Sequence, residues 1–193
     1  MNTRRLGRWT HGVGLAILAL GLVTGPAWCK TKEEKQDEVQ KIARETLAML
    51  YKTVPKARAA VEGAAGYAVF SNFGMKLGIV GGGRGKGLAV DNATKKISYM
   101  KMAEVQAGLG LGVKQFRLVW VFEKPEDLDK FINSGWELGG QSTAAAQSGG
   151  KGESFAGALS ISPGVWLYQI VGDGLAVELT AKGTKYYRDS DLN

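Results

Sequence analysis

Glycine falls on every second residue in two separate runs, Gly81, Gly83, Gly85 and Gly87, then Gly108, Gly110 and Gly112. Alternate residues of a strand face opposite sides, so each run leaves one face without side chains. A bare face costs backbone entropy and strand propensity, so it points to a sharp bend or to another layer approaching closely. The opposite phase of the first run carries Arg84, Lys86, Leu88 and Val90, and that of the second carries Leu109, Leu111 and Val113. The pattern predicts a curved, partly closed sheet with a helix or second strand layer against the bare stripes.

The rest of the chain fits an α+β class, with N-terminal helices packed on a curved, partly closed antiparallel sheet of glycine-rich strands. Val39, Ile42, Ala43, Leu47, Leu50, Tyr51 and Val54 recur at spacings of three and four, which makes an amphipathic helix of Lys30 to Val54. Its polar face mixes five acids with six basic residues. Mixed signs favour packing on its own domain over lying on a membrane. Pro55 interrupts the pattern, and a short helix from Lys56 to about Glu62 follows. From Gly66 the period changes to two. Strands are expected at 67–70, 75–80, 84–90, 96–102, 109–113 and 116–122, with turn signals at Ser71-Asn72 and Asp91-Asn92. Residues 123–131 form a short helix with Pro125 near its start. After a Gly, Ser and Ala stretch, strands resume at 155–161, 165–171, 175–181 and 184–188. Short turns between neighbours imply antiparallel pairing. Strands do not alternate with helices, which disfavours a doubly wound parallel sheet.

The first 29 residues have the layout of a secretory signal peptide. Arg4, Arg5 and Arg8 make a basic start, Val13 to Val23 an apolar core, and Gly25, Pro26 and Ala27 a break with small residues. Cleavage is expected after Ala27 or Cys29. Lipidation of Cys29 is disfavoured, because Trp28 stands where a small residue belongs. Residues 30–62 then form a helical segment and 63–193 a β-rich domain. The expected location is the periplasm or the outer membrane.

Charge and missing residue types exclude several functions. The chain has 25 basic and 18 acidic residues. Without the three leader arginines, 22 stand against 18, a net +4, which is not the footprint of a nucleic-acid binder. The only histidine is His11, inside the leader, and the only cysteine is Cys29. Zinc and copper sites and His-dependent nucleophile systems therefore lack their side chains downstream of the leader. The glycines do not match a nucleotide loop. Lys86 or Leu88 occupies the third-glycine position of G-x-G-x-x-G, and Gly87 follows Gly85-Lys86 where a P-loop needs Ser or Thr. No cofactor is implied. Glu123, Glu126, Asp127 and Asp129 read as helix-capping acids, while Asp189 and Asp191 lie near a C-terminus expected to fray. Trp166 and Tyr168 share one strand face, with Tyr186 and Tyr187 near the end of the chain. Arg84 and Lys86, on one strand face backed by glycines, could receive an anionic headgroup, and Lys76, Lys52, Lys56 and Arg58 would join them if the fold allows.

Three segments in order resemble the SYLF-domain family, over roughly Val61 to Asp189. They are Gly66-Tyr67-Ala68-Val69-Phe70 followed by Gly78 to Gly87; Leu138-Gly139-Gly140 with the small-residue stretch after it; and Tyr168 through Gly174-Leu175 to Gly183 with Tyr186-Tyr187. The resemblance implies binding of anionic phospholipids, phosphoinositides in eukaryotic members, and no enzymatic activity. It is to the stand-alone secreted bacterial type. Asp173 replaces a basic residue common in relatives, and Ala176 a usual aromatic. Lipid-headgroup contacts are therefore expected from Arg84, Lys86, Lys76, Lys56 and Arg58, with an anionic phospholipid surface as partner. One alternative is a structural or adhesion module of the envelope with a protein partner; a carboxylate-dependent hydrolase is another.

Overall fold

The computed structural model describes residues 30–138, 147–148, 155–172, 174–175 and 183–193, with backbone pairing alone for 72–81, 106–115, 138 and 147–148. The expected leader, the Gly139-Gly140 motif, Asp173 and Ala176 lie outside the described residues, as do the side chains around the second glycine run. The described fold is α+β, with three helices and a curled antiparallel sheet.

Helix α1, Lys32–Thr53, starts on a capping box: Glu34 N–H donates to Thr31 Oγ1 and Thr31 N–H to Glu34 Oε2. Pro55 separates it from α2, Ala57–Gly63. Two strands of 26 residues then dominate, β1, Gly66–Asp91, and β2, Ile97–Phe122. They pair antiparallel from Gly66↔Phe122 to Val90↔Ile97. The Asp91-Asn92 turn forms as expected, with Asp91 Oδ1 accepting from the amides of Ala93 and Thr94. Ser71-Asn72 is not a turn. It stays in the ladder opposite Arg117 and Phe116, because the partner strand continues to offer hydrogen bonds there. Helix α3, Pro125–Asn133, leads to β3, Trp136–Leu138, and β4, Gln147–Ser148. After these come β5, Leu159–Ser162; β6, Val165–Val171; β7, Gly174–Leu175; and β8, Thr184–Arg188. Residues 155–157 form a helical turn where the sequence suggested strand.

β2 organises the sheet. One edge pairs with β1 throughout. The other pairs with β8 over Met100–Glu104 and with β6 over Phe116–Phe122. One strand thus serves both halves of a sheet that curls back on itself. The inner face holds Phe70, Met100, Met102, Leu118, Trp120, Phe122 and Tyr186, closed by Leu128 and Phe131 of α3. The outer face holds Val69, Leu88, Tyr99, Val119, Val121 and Tyr168, covered by Val39, Ala43 and Leu50 of α1 and Val61 of α2.

The first bare stripe lies inside the curl. A Cβ on Gly85 would stand 2.7 Å from the Ser71 carbonyl oxygen and 2.5 Å from Met102 Cγ. One on Gly87 would collide with the Val69 carbonyl and the Phe70 ring, and one on Gly66 with the Val90 carbonyl. The two halves of β1 therefore lie against each other, backbone close to backbone. A register shift between Gly78 and Val80 makes this possible. Before it, the even-numbered Ala68 and Phe70 face inward; after it, Ala89 does so with Gly85 and Gly87. The step from Gly78 to Val80 spans two residues while its partner step from Gly110 to Ala107 spans three, so the extra residue is on β2 and β1 pairs in the opposite phase beyond it.

Filling these contacts should destabilise the fold. Gly85→Val or Gly87→Val is expected to cost about 1–3 kcal/mol or more, since a backbone oxygen cannot move aside as a side chain can. Gly82 is exposed, and its added Cβ would meet nothing closer than the Glu104 carbonyl at 3.5 Å. Gly82→Val should be neutral or mildly stabilising. Denaturant midpoints of the three variants check this, and equal midpoints would remove the close-packing argument.

Candidate functional site

Beyond α1, part of the outer sheet face is uncovered. Register puts its residues in rows across β1, β2 and β8. Arg84, Ala103 and Lys185 form one row; Lys86, Lys101 and Tyr187 form the next. Gly82 and Val105 continue the face toward the bend of the hairpin. Arg84, Lys86 and Lys185 are exposed, Val105 is 65% exposed and Tyr187 39%. Directly opposed residues on neighbouring strands lie roughly 5 Å apart at Cβ, so the rows set cations at short, fixed intervals.

Lys86 and Lys101 stand opposite each other, an unfavourable like-charge pair unless each has an acid nearby. Both do. The Glu38 carboxyl on α1 is held below its usual range chiefly by the Lys30 hydrogen bond at 3.0 Å, with Lys86 a smaller contributor. Lys101 Nζ lies 2.8 Å from Asp189 Oδ1 and 2.8 Å from Asp191 Oδ2. Lys185 meets the exposed Glu137 at 3.0 Å.

The C-terminus is therefore docked, not frayed. The Asp189 side chain is 2% exposed and Leu192 is buried in the outer core. The Asn193 side chain accepts from the Tyr99 amide and donates to the Tyr99 carbonyl. From α1, Gln36 Nε2 donates to the Leu192 carbonyl and Lys32 Nζ to the Asn193 carbonyl. Local sequence polarity suggested a loose tail; its partners lie about 90 and 160 residues away.

The other expected headgroup residues are elsewhere. Glu38, beside Lys86, and Thr53 at the end of α1 are 15 residues apart, about 22 Å of helix. Lys56 and Arg58 lie beyond that end. Arg58 pairs with Glu62 at 3.1 Å and stacks over the Tyr51 ring at 4.4 Å. Lys52 is in the last turn of α1. Lys76 pairs with Gly112 in the ladder, and its side chain is outside the described residues. The structure thus joins Arg84 and Lys86 to Lys101 and Lys185, and does not bring Lys52, Lys56 or Arg58 to that face. Lys101 and Lys185 could have been found only from strand register.

The remaining chemistry is structural. Trp166 stacks on Phe155 with centroids 4.4 Å apart, and Tyr168 is fully buried. Tyr186 is in the inner core beside Trp120, and burial pushes its phenol well above the usual range. Glu104 is a carboxylate the sequence reading passed over, buried between Gly83 and Thr184 in the register. Among the described residues no group of three or more His, Cys, Asp or Glu could hold a metal ion, and no helix is long and apolar enough to cross a membrane.

The chain matches no protein-family profile. It is 32% identical over 163 residues to a protein named "Beta cell expansion factor A" from Aeromonas veronii, covering 84% of this chain and 60% of that protein. The chain spans about three fifths of the length of the curated relative it matches.

The Lys101 cluster should make stability depend on acid. Hydrogen bonds from Lys101 hold the Asp191 carboxyl below its usual range, and the same contacts, Asp189 first, raise Lys101. A depressed carboxylate adds stability above its unfolded pKa of about 4, which is lost as pH falls through the folded value. The raised lysine contributes below about pH 10 and is lost only in stronger alkali. Denaturant midpoints should therefore fall between pH 5 and pH 3, and Asp191→Asn should flatten part of that fall. Identical pH dependence in both proteins would show that the ion pair adds nothing.

Proposed function

We propose that this protein is an exported, non-enzymatic domain of the bacterial cell envelope that binds anionic phospholipid surfaces through the uncovered face of β1, β2 and β8. One observation carries the reading: Arg84, Lys86 and Lys185 are exposed on a single sheet face, with Lys101 between them. Strand pairing holds these cations in fixed positions, so they engage a charged surface with little loss of backbone freedom. Val105 and Tyr187 on the same face put an apolar and an amphipathic side chain beside the cations, a combination suited to a membrane interface. The resemblance to SYLF domains supports the same assignment, since Arg84 and Lys86 stand inside its first segment. The leader-like residues 1–29 support export.

A cation near an anionic membrane surface contributes about 1 kcal/mol. Arg84→Ala with Lys86→Ala is expected to weaken binding to anionic vesicles by about 2 kcal/mol, on the order of thirtyfold. The variant should stay folded, because exposed charges contribute little to stability. Lys185→Ala should add to the loss. Lys124→Ala with Lys130→Ala removes the same charge at α3 and serves as the control. Co-sedimentation at low and moderate salt measures all of these. Equal losses in the two double variants would mean diffuse attraction without a defined face. A wild-type protein indifferent to anionic lipid would favour the protein-partner alternative.

A further inference from the structure

A cleft of about 140 Å³ opens between α3 and the β1–β2 turn, on the inner side of the sheet and away from the basic face. That volume is several times the roughly 30 Å³ of one water. Asp91, Ser98 and Arg188 line it from the sheet, Lys96 from the β1–β2 turn, and Asp129 from α3. Leu128 and Ile132 add an apolar wall.

The charges are balanced but largely unspent on one another. Among the described residues, neither Lys96 nor Arg188 forms an ion pair. Asp91 uses Oδ1 on the amides of its own turn, and Asp129 uses Oδ1 to accept from Asn133 Nδ2 at 2.7 Å. Register places the cations. Lys96 and Ser98 are two residues apart on one side of the chain, and Arg188 pairs with Met100, two residues further on. Ser98 is buried, with its position between the two cations. Asp129 faces the cleft from the helix opposite.

A simple anion would meet two carboxylates here, and a simple cation two cations. A small molecule carrying both charges a few bonds apart meets an opposite charge at each end. We propose that this cleft binds a small zwitterion, a phosphate joined to a primary ammonium as in phosphoethanolamine. The phosphate lies over Ser98 between Lys96 and Arg188, and the ammonium turns toward Asp129. Such a group occurs both as a free metabolite and as a lipid headgroup, and the cleft chemistry is the same for each.

Titration calorimetry of the whole protein with O-phosphoethanolamine tests this. Saturable binding is expected, weakened about tenfold or more in Lys96→Ala with Arg188→Ala, and in Asp129→Asn. Asparagine at 129 keeps an acceptor for Asn133, so the helix should be undisturbed. Inorganic phosphate, which lacks the ammonium, and phosphocholine, whose ammonium has no N–H, should both bind at least about tenfold more weakly. The Arg84, Lys86 variant should bind O-phosphoethanolamine as the wild type does, which separates this site from the membrane face. Vesicles of phosphatidylethanolamine against phosphatidylcholine distinguish the sources. A preference for the former that the Lys96, Arg188 variant loses assigns the cleft to a lipid headgroup. Binding of the soluble compound without that preference assigns it to the free molecule. No saturable binding to either form, equal binding of inorganic phosphate, or unchanged affinity in the cleft variants would each overturn the proposal.

Discussion

The close approach of the two halves of β1, across Gly85 and Gly87 on one side and Gly66 on the other, governs the rest of this architecture. Straight strands of 26 residues would extend roughly 85 Å, with both faces of the pair needing cover. Curling the hairpin solves this with its own residues, because each half supplies the layer that the other requires. Side chains at the contact would hold the halves apart by the width of a second core. Without them, backbone meets backbone, and the larger residues of β2, β6 and β8 fill the inside. The same curl leaves both halves of one β2 edge accessible to different strands, which is why β8 and β6 share a neighbour although, among the described residues, they do not pair with each other.

The register shift between Gly78 and Val80 decides which chemistry faces outward. Were β1 continuous in phase from Phe70, Arg84 and Lys86 would point into the inner core and the glycines would line the outer face. Two unpaired cations in an apolar interior cost far more than any strand pairing returns. The shift, with its extra residue on β2, therefore goes with two outcomes at once: the bare stripe is buried and the cations are exposed. The basic face is in this sense a product of the bulge as much as of the residues that form it.

Electrostatic order on that face comes from α1 and from the C-terminal residues. The N-terminal helix brings Glu38 toward Lys86, and the C-terminal residues bring Asp189 and Asp191 to Lys101. α1 and the C-terminal residues meet over Tyr99, where Gln40 donates to the phenol oxygen and Asn193 bonds the backbone. Helix, tail and sheet are thus tied at the margin of the exposed cations. Lys185 has its own acid in Glu137, which leaves Arg84 as the cation of this face with the weakest acidic neighbourhood among the described residues.

Much of this was legible in order along the chain. The apolar stripe of α1 follows from spacings of three and four, the Asp91-Asn92 turn from its residue types, and the hidden glycine stripe from a period of two, because each is a local relation between a residue and its near neighbours. Ser71-Asn72 misled for the same reason: local turn chemistry cannot register that Arg117 and Phe116 hold the ladder together there. The sequence alone determined that one phase of β1 must be covered and that Arg84 and Lys86 share a face. Only the tertiary structure decided that Lys101 and Lys185 join them, that Lys56 and Arg58 do not, and that Asp189 is a buried partner and not part of a loose tail. Those outcomes rest on which strands pair and in which register, and register is set by backbone hydrogen bonds between segments up to about a hundred residues apart, whose side chains carry no mark of the partner they will face.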